Sequence, residues 1–222
     1  MRPEMRHLLT CPRPGAHLLC LCDTSGNRRG VALTVDSFPE HDLRTPRLQL
    51  RWLGEADAPH IVALDGDPEV MRFLGDGKPV PRAEVLERTL PVLLARHGER
   101  GELGYRAAED AVTGEFVGWF ELTPTNRGIP GEVELGYRLC RSAWGRGYAT
   151  EGARALIRAA FAEYGVRRVT ATTMAVNAAS RRVMEKAGLR YVRTFFEEWP
   201  DPIPGSEHGE VEYALERADR RP

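Results

Sequence analysis

The stretch Trp144-Gly145-Arg146-Gly147-Tyr148-Ala149-Thr150-Glu151 constrains this chain more than any other. It follows a strand-like run, residues 133–139, and opens a helix-like run, residues 151–164. Two glycines two positions apart let the backbone approach a ligand with no Cβ in the way. The helix that follows leaves its first N–H groups unpaired at the positive end of its dipole. Such a turn is either a tight strand-to-helix connection or a seat for a phosphate or pyrophosphate. It is not the dinucleotide fingerprint, because no third glycine stands after Gly147, and it is not a Walker loop, because no Gly-Lys-Ser/Thr follows. Dinucleotide and triphosphate sites are therefore disfavoured, and another phosphorylated cofactor is needed.

A second constellation follows the helix. Residues 168–174 read as a strand, and the run from Asn177 through Ser180 and Met184 to Gly188 reads as a helix with Asn177 as its N-cap and Gly188 at its end. The order strand, glycine turn, helix, strand, Asn-capped helix, glycine, strand resembles the GNAT superfamily of acyl-CoA-dependent N-acyltransferases. More narrowly it resembles the branch of the ribosomal-protein N-terminal acetyltransferases RimJ and RimL. The opening Leu43-Arg44-Thr45-Pro46-Arg47-Leu48-Gln49-Leu50-Arg51 is similar to that branch's first strand, and Glu132-Val133-Glu134-Leu135-Gly136-Tyr137 is similar to the strand before its glycine turn. The resemblance spans residues 43–219.

With 222 residues, one domain plus an extension is expected. Residues 43–219 are assigned to the acyltransferase domain and residues 1–42 to a loosely packed or poorly ordered extension. An apolar fraction of 42% can build a core, and a net charge of −1 gives no footprint for nucleic acid or an anionic membrane. No apolar run approaches the roughly 18 residues of a membrane span, so a soluble, cytoplasmic protein is expected. The extension holds Cys11, Cys20 and Cys22. With His7 and His17 they could be drawn as a zinc site, but the spacing fits no standard paired pattern, and no metal is expected. Cys140 stands alone in the main domain.

The alternation of residues 47–53 predicts a strand with one buried face. Residues 55–65 and 68–74 read as short helices, and residues 81–97 as a longer one that Pro91 can kink. Strands are expected at 104–109 and 115–122, joined at Val112-Thr113-Gly114, and at 190–198 and 210–217 around a Pro/Gly-rich loop that carries no regular structure. The whole predicts one mixed α/β sheet, mostly antiparallel, with helices on both faces, and the resemblance implies that this sheet is splayed.

Acyl transfer to nitrogen needs a held pyrophosphate, a threaded pantetheine arm, a donor for the developing oxyanion, and a route for the amine proton. The backbone of Gly145, Arg146, Gly147, Tyr148, Ala149 and Thr150 is the candidate pyrophosphate seat. The resemblance implies that strand 133–139 splays from strand 168–174, that acetyl-CoA lies in the gap, and that the Leu139 N–H polarises the acetyl carbonyl. It also implies that Asn177, besides capping, touches the pantetheine arm, and that Ser180 lies near the thiol as a proton donor. Many family members carry a tyrosine acid seven residues after the asparagine; here that position is Met184. Glu134 is the leading candidate base. It shares a strand face with Arg138, so a structural ion pair is the alternative. Glu121 and His208 are further candidates.

Two functions stay open on the sequence. The first is acetyl transfer by direct attack of a primary amine, at a protein N-terminus or on a small molecule such as an aminoglycoside or polyamine. The second is a non-catalytic acyl-CoA sensor or scaffold. Within the first, Glu197, Glu198, Asp201, Glu207, Glu210 and Glu212 near the final loop would suit a cationic acceptor. The protein is expected to be a monomer or homodimer.

Overall fold

The computed structural model describes residues 42–98, 101–125, 127–196 and 202–219. The extension, apart from Asp42, lies outside the described residues, as do the histidines and cysteines considered there for zinc.

Strand β2 (Leu48–Trp52) buries Leu48 and Leu50 completely, as its alternation predicts. It pairs antiparallel with β1 (Leu43–Arg44) on one side and β4 (Leu103–Asp110) on the other. The hairpin from β4 to β5 (Phe116–Pro124) turns where Asp110 Oδ1 accepts the N–H groups of Val112 and Thr113, both at 3.0 Å. Then follow β6 (Glu132–Leu139), α5 (Tyr148–Ala162), β7 (Arg168–Met174), α6 (Ala178–Ala187), β8 (Arg190–Phe195) and β9 (Glu210–Glu216). The sheet order is β1-β2-β4-β5-β6-β7-β9-β8, with β3 (Arg96–His97) pairing β4. Every described pairing is antiparallel except β6 with β7. This is the mostly antiparallel α/β sheet that the sequence predicts, splayed as the resemblance implies.

Period-2 alternation sends Leu122 and Leu135 to one face, where they pack with Leu156, Ile157 and Phe161 of α5. On the other face, Ala107 and Trp119 pack with Ile61 and Leu64 of α1 (Ala58–Asp65), Val70 of α2 (Pro68–Met71) and Val85 and Leu93 of the helical stretch 82–93, which opens with α3 (Arg82–Glu84) and closes with α4 (Leu90–Leu93). Each apolar side chain fully buried here contributes about 1.5–3 kcal/mol.

Several boundaries differ from the sequence reading. The long helix stops at Leu93, and Arg96 and His97 pair with Gly104 and Leu103 instead. Helix propensity does not register the strand partner that the chain offers six to eight residues further on. Pro91 produces a π turn over Val85–Thr89, where the Leu90 N–H donates to the Val85 carbonyl; the turn lies just N-terminal to a residue with no N–H to give. The helix after the glycines begins at Tyr148 rather than residue 151, because Gly147 itself is the cap. The second short helix ends at Met71, and the described residues of the final loop hold a 3-10 turn, Ser206–His208.

Candidate active site

The parallel ladder between β6 and β7 ends at Glu134 opposite Thr170, although the strands run on to Leu139 and Met174. Beyond that point the β7-facing edge of β6 is open. The Cys140 N–H donates to Val117 on the β5 side at 2.9 Å. The N–H and C=O of one residue face the same edge of a strand and those of the next residue the opposite edge, so the N–H and C=O of Leu139 face the split. Its carbonyl accepts the Trp144 indole N–H at 2.8 Å, which leaves the Leu139 N–H without a partner among the described residues.

The glycine turn closes one end of the split. Gly145 and Gly147 have φ of +71° and +83°, in the left-handed region that glycine alone adopts at little cost. A Cβ on Gly145 would meet nothing within 4 Å. The first intrahelical bond of α5 runs from Glu151 N–H to Gly147, so the amides of Tyr148, Ala149 and Thr150 are the unpaired ones at the positive helix end. Tyr148 is pinned there by its hydroxyl on Asp110, which holds that carboxyl down at about 2. An exposed glycine turn, free helix-end amides and an open strand edge fit a cofactor with a pyrophosphate and an extended arm.

Arg47 joins this end, and the sequence reading missed it. Its Nη1 donates to the Arg146 carbonyl at 2.8 Å, its Nε to Glu151 at 2.7 Å, and its guanidinium lies 4.7 Å from the Tyr148 ring centre. Burial would lift the Glu151 carboxyl, but hydrogen bonds from Thr45 and Arg47 outweigh it and hold the group below its ordinary value. The only signal for Arg47 in the sequence is the Thr45-Pro46-Arg47 opening itself.

Asn177 caps α6 as expected: Oδ1 accepts the Ser180 N–H at 3.2 Å, while Nδ2 donates to Thr173 Oγ1 at 3.2 Å. Gly188 ends the helix with φ +103°. The Ser180 hydroxyl lies 2.9 Å from the Tyr137 hydroxyl, a hydrogen bond that links α6 to β6. Burial pushes the Tyr137 phenol up to about 12, against a smaller pull from Ser180, so it stays protonated at neutral pH. Met184 fills the core, 2% exposed. A phenol absent from that helix position stands instead beside Ser180, on β6, a pairing that no sequence spacing announces.

On the opposite face of the sheet lies a cavity of about 530 Å³, lined by Glu134, Thr172, Arg127, Arg193 and Glu212 with Phe73 as apolar wall. Glu134 accepts from Thr172 Oγ1 at 2.8 Å. The Glu134–Arg138 ion pair considered from the sequence is not formed, since Arg138 is held by Asp65 of α1. Glu121, on β5, is partly buried. Burial, then the charge of Glu134, push its carboxyl up to about 7 against the hydrogen bond from Tyr105. His208 is exposed, its Nε2 3.6 Å from Glu207, and does not line the cavity.

The acidic cluster is corrected in part. Glu212 is 1% exposed and bonded by Arg127 and Arg193, both at 2.7 Å. Burial would raise it, but these guanidiniums more than offset that and hold it below the ordinary range. It is therefore a structural ion-pair centre rather than free charge for an acceptor. Glu210 lines the cavity, whereas Glu197, Glu198 and Asp201 lie outside the described residues. Among the described residues no group of three or more His, Cys, Asp or Glu side chains could hold a metal ion, and no helix is long and apolar enough to cross a membrane.

Residues 47–190 match the family model described as an acetyltransferase (GNAT) domain. An FsC-acetyl coenzyme A-N(2)-transacetylase of Aspergillus fumigatus is 37% identical over 198 residues, covering 84% of this chain and 80% of that protein. A GNAT-family acetyltransferase from Bacillus anthracis superposes with TM-score 0.64 at 21% identity, covering 80% of this chain and 99% of that one. The spermidine N-acetyltransferase of Vibrio cholerae, solved with CoA and spermine, superposes with TM-score 0.65 at 18% identity, covering 79% of this chain and 98% of that one.

Proposed function

The chain belongs to the GNAT acetyltransferase family, and from that premise we propose that it moves the acetyl group of acetyl-CoA onto a primary amine by direct attack of the nitrogen. The observation that carries this reading is the split between β6 and β7, with free amides at one end and Glu134 on the cavity side. Acetyl-CoA supplies an acyl thioester whose carbonyl accepts a nucleophile. The amides of Gly145, Arg146, Gly147, Tyr148, Ala149 and Thr150 hold its pyrophosphate, with Arg47 and Arg146 adding charge. The Leu139 N–H donates to the oxyanion, and Asn177 borders the arm. Glu134 takes the amine proton, and Ser180, backed by Tyr137, donates to the departing sulfur.

Family membership supports an enzyme over a sensor or scaffold. The N(2)-transacetylase relative supports nitrogen as the acceptor atom. The opening strand and Ser180 support the RimJ/RimL-like branch, with residues 43–219 as the catalytic domain. The test is release of free CoA thiol from acetyl-CoA in the presence of alaninamide, spermine or kanamycin. At least one amine should raise the release well above the amine-free rate, with a matching acetylated product by mass. A chain that binds CoA yet acetylates none of them would count against this acceptor range.

A further inference from the structure

We propose that Trp144 is a positioning residue for the transfer: its indole N–H, by holding the Leu139 carbonyl, aims the Leu139 N–H at the oxygen of the acetyl group. This rests on the reading of the Leu139 N–H as the oxyanion donor. Leu139 is the last residue of β6, and the ladder of β6 with β7 has already ended at Glu134. Among the described residues no strand pairs with Leu139 on that side. The indole takes the place of the missing strand partner, with Nε1 donating to the Leu139 carbonyl at 2.8 Å. From the other side β5 closes on the same residue. Gly118 stands opposite Leu139, and a Cβ there would lie 2.7 Å from the Leu139 Cα. Leu139 is thus gripped on both sides, while its N–H stays open to the split.

The residue type matters. An indole donates one N–H and accepts nothing, so it can only cap a carbonyl, never compete for the Leu139 N–H. Left bare, that carbonyl would set a partial negative charge beside the place where negative charge develops. When the amine nitrogen adds its lone pair to the thioester carbon, the π pair of the C=O bond moves to oxygen. When that pair returns, the C–S bond breaks and the sulfur leaves with its electrons. A donor that is fixed beforehand needs no reorganisation as the charge appears. Trp144 also opens the glycine turn: its backbone N–H donates to the Arg141 carbonyl at 3.1 Å, and Gly145 follows at φ +71°. One side chain therefore joins the pyrophosphate seat to the oxyanion donor. The ring is 43% exposed, so it is not there to fill the core.

Trp144→Phe keeps an aromatic ring and removes the N–H. A second form, with benzothienylalanine in place of Trp144, keeps the shape of the indole and carries sulfur where the N–H was. Acetyl-CoA labelled with 13C at its thioester carbonyl is bound without amine, and the carbonyl stretch is read by infrared difference spectroscopy. In the wild type the band should lie below that of free acetyl-CoA, because a donor weakens the C=O bond. In both altered forms most of that displacement should vanish. With any amine that the wild type acetylates, kcat should fall on the order of tenfold, short of the roughly 10²–10³ lost when an oxyanion donor is removed outright. CoA affinity by calorimetry should hardly change. A band displaced as far as in the wild type, or near-full kcat, would overturn the role of Trp144 and leave the Leu139 donor in place. A fall in CoA affinity alone would assign Trp144 to the pyrophosphate turn instead. A wild-type band that does not move removes the donor, and the role of Trp144 with it. The infrared measurement needs no acceptor, so its outcome is separate from that of the amine panel.

Discussion

The two ends of the site are built from different materials. At the glycine turn the work falls to the backbone: left-handed glycines, free helix-end amides and the Leu139 N–H. Across the sheet the cavity proposed for the acceptor is built from side chains, with carboxylates and guanidiniums from β6, β8, β9 and a connecting loop. A backbone site depends on where the chain turns and so tolerates changes of side chain. A side-chain site depends on which residues distant strands bring together and can be re-tuned one substitution at a time. One fold can thereby keep its donor and change its acceptor.

The sharpest division of the two ends should come from Glu134→Gln. It keeps shape and hydrogen bonding but removes basicity, so kcat should fall by roughly 10²–10⁴, the usual span of a general base. KM for acetyl-CoA should hardly move. Steady-state kinetics that show both constants changing together would break the separation, and near-full kcat would move the base to Glu121 or His208.

The reciprocal change is Gly147→Val. A β-branched residue at φ +83° is strained by about 1–2 kcal/mol or more even before a ligand approaches. Calorimetry should give at least about a tenfold loss of CoA affinity, equal to ~1.4 kcal/mol. Chemical denaturation of the same variant separates backbone strain from loss of ligand approach. Unchanged CoA affinity would remove the pyrophosphate from this turn.

A smaller effect is expected at the hydroxyl pair. Ser180→Ala and Tyr137→Phe should each lower kcat less than tenfold or so, because a thiolate leaves with little help near neutral pH. The Tyr137 variant tests whether the phenol acts through Ser180: the double variant should then cost no more than the larger single one.

The smallest effect concerns stability and distinguishes two glutamates on one sheet face. Glu212 is held below its ordinary pKa, so its stabilisation is present above the unfolded value of about 4.3 and is lost as pH falls through the folded value. Glu121 runs the other way: its contribution is present below the unfolded value and is lost as pH rises through about 7. Unfolding curves should therefore lose their acid-side slope in Glu212→Gln and their slope toward neutral pH in Glu121→Gln. Matching slopes in the two variants would mean that these residues do not titrate as the contacts require.

Much of this was legible in the sequence. Alternation located β2 and the faces of β6, residues 168–174 read as the strand β7, the Val112-Thr113-Gly114 turn located the hairpin, and Asn177 and Gly188 marked both ends of α6 because caps are local chemistry. The glycine turn was legible for the same reason: a positive φ and a helix start are set by the residues that occupy them. Only tertiary structure decided the rest. Arg96 and His97 left the helix for a strand because Leu103 and Gly104 offered a partner. Arg138 turned from Glu134 to Asp65, 73 residues away. Glu212 became an ion-pair centre once β8 and the β5–β6 connection brought Arg193 and Arg127 to it, and Tyr137 met Ser180 across 43 residues of chain. Local sequence fixes dihedral angles and caps within a few residues. Which charge neutralises which, and which carboxylate keeps its proton, follows from distances and burial that exist only once the strands have paired.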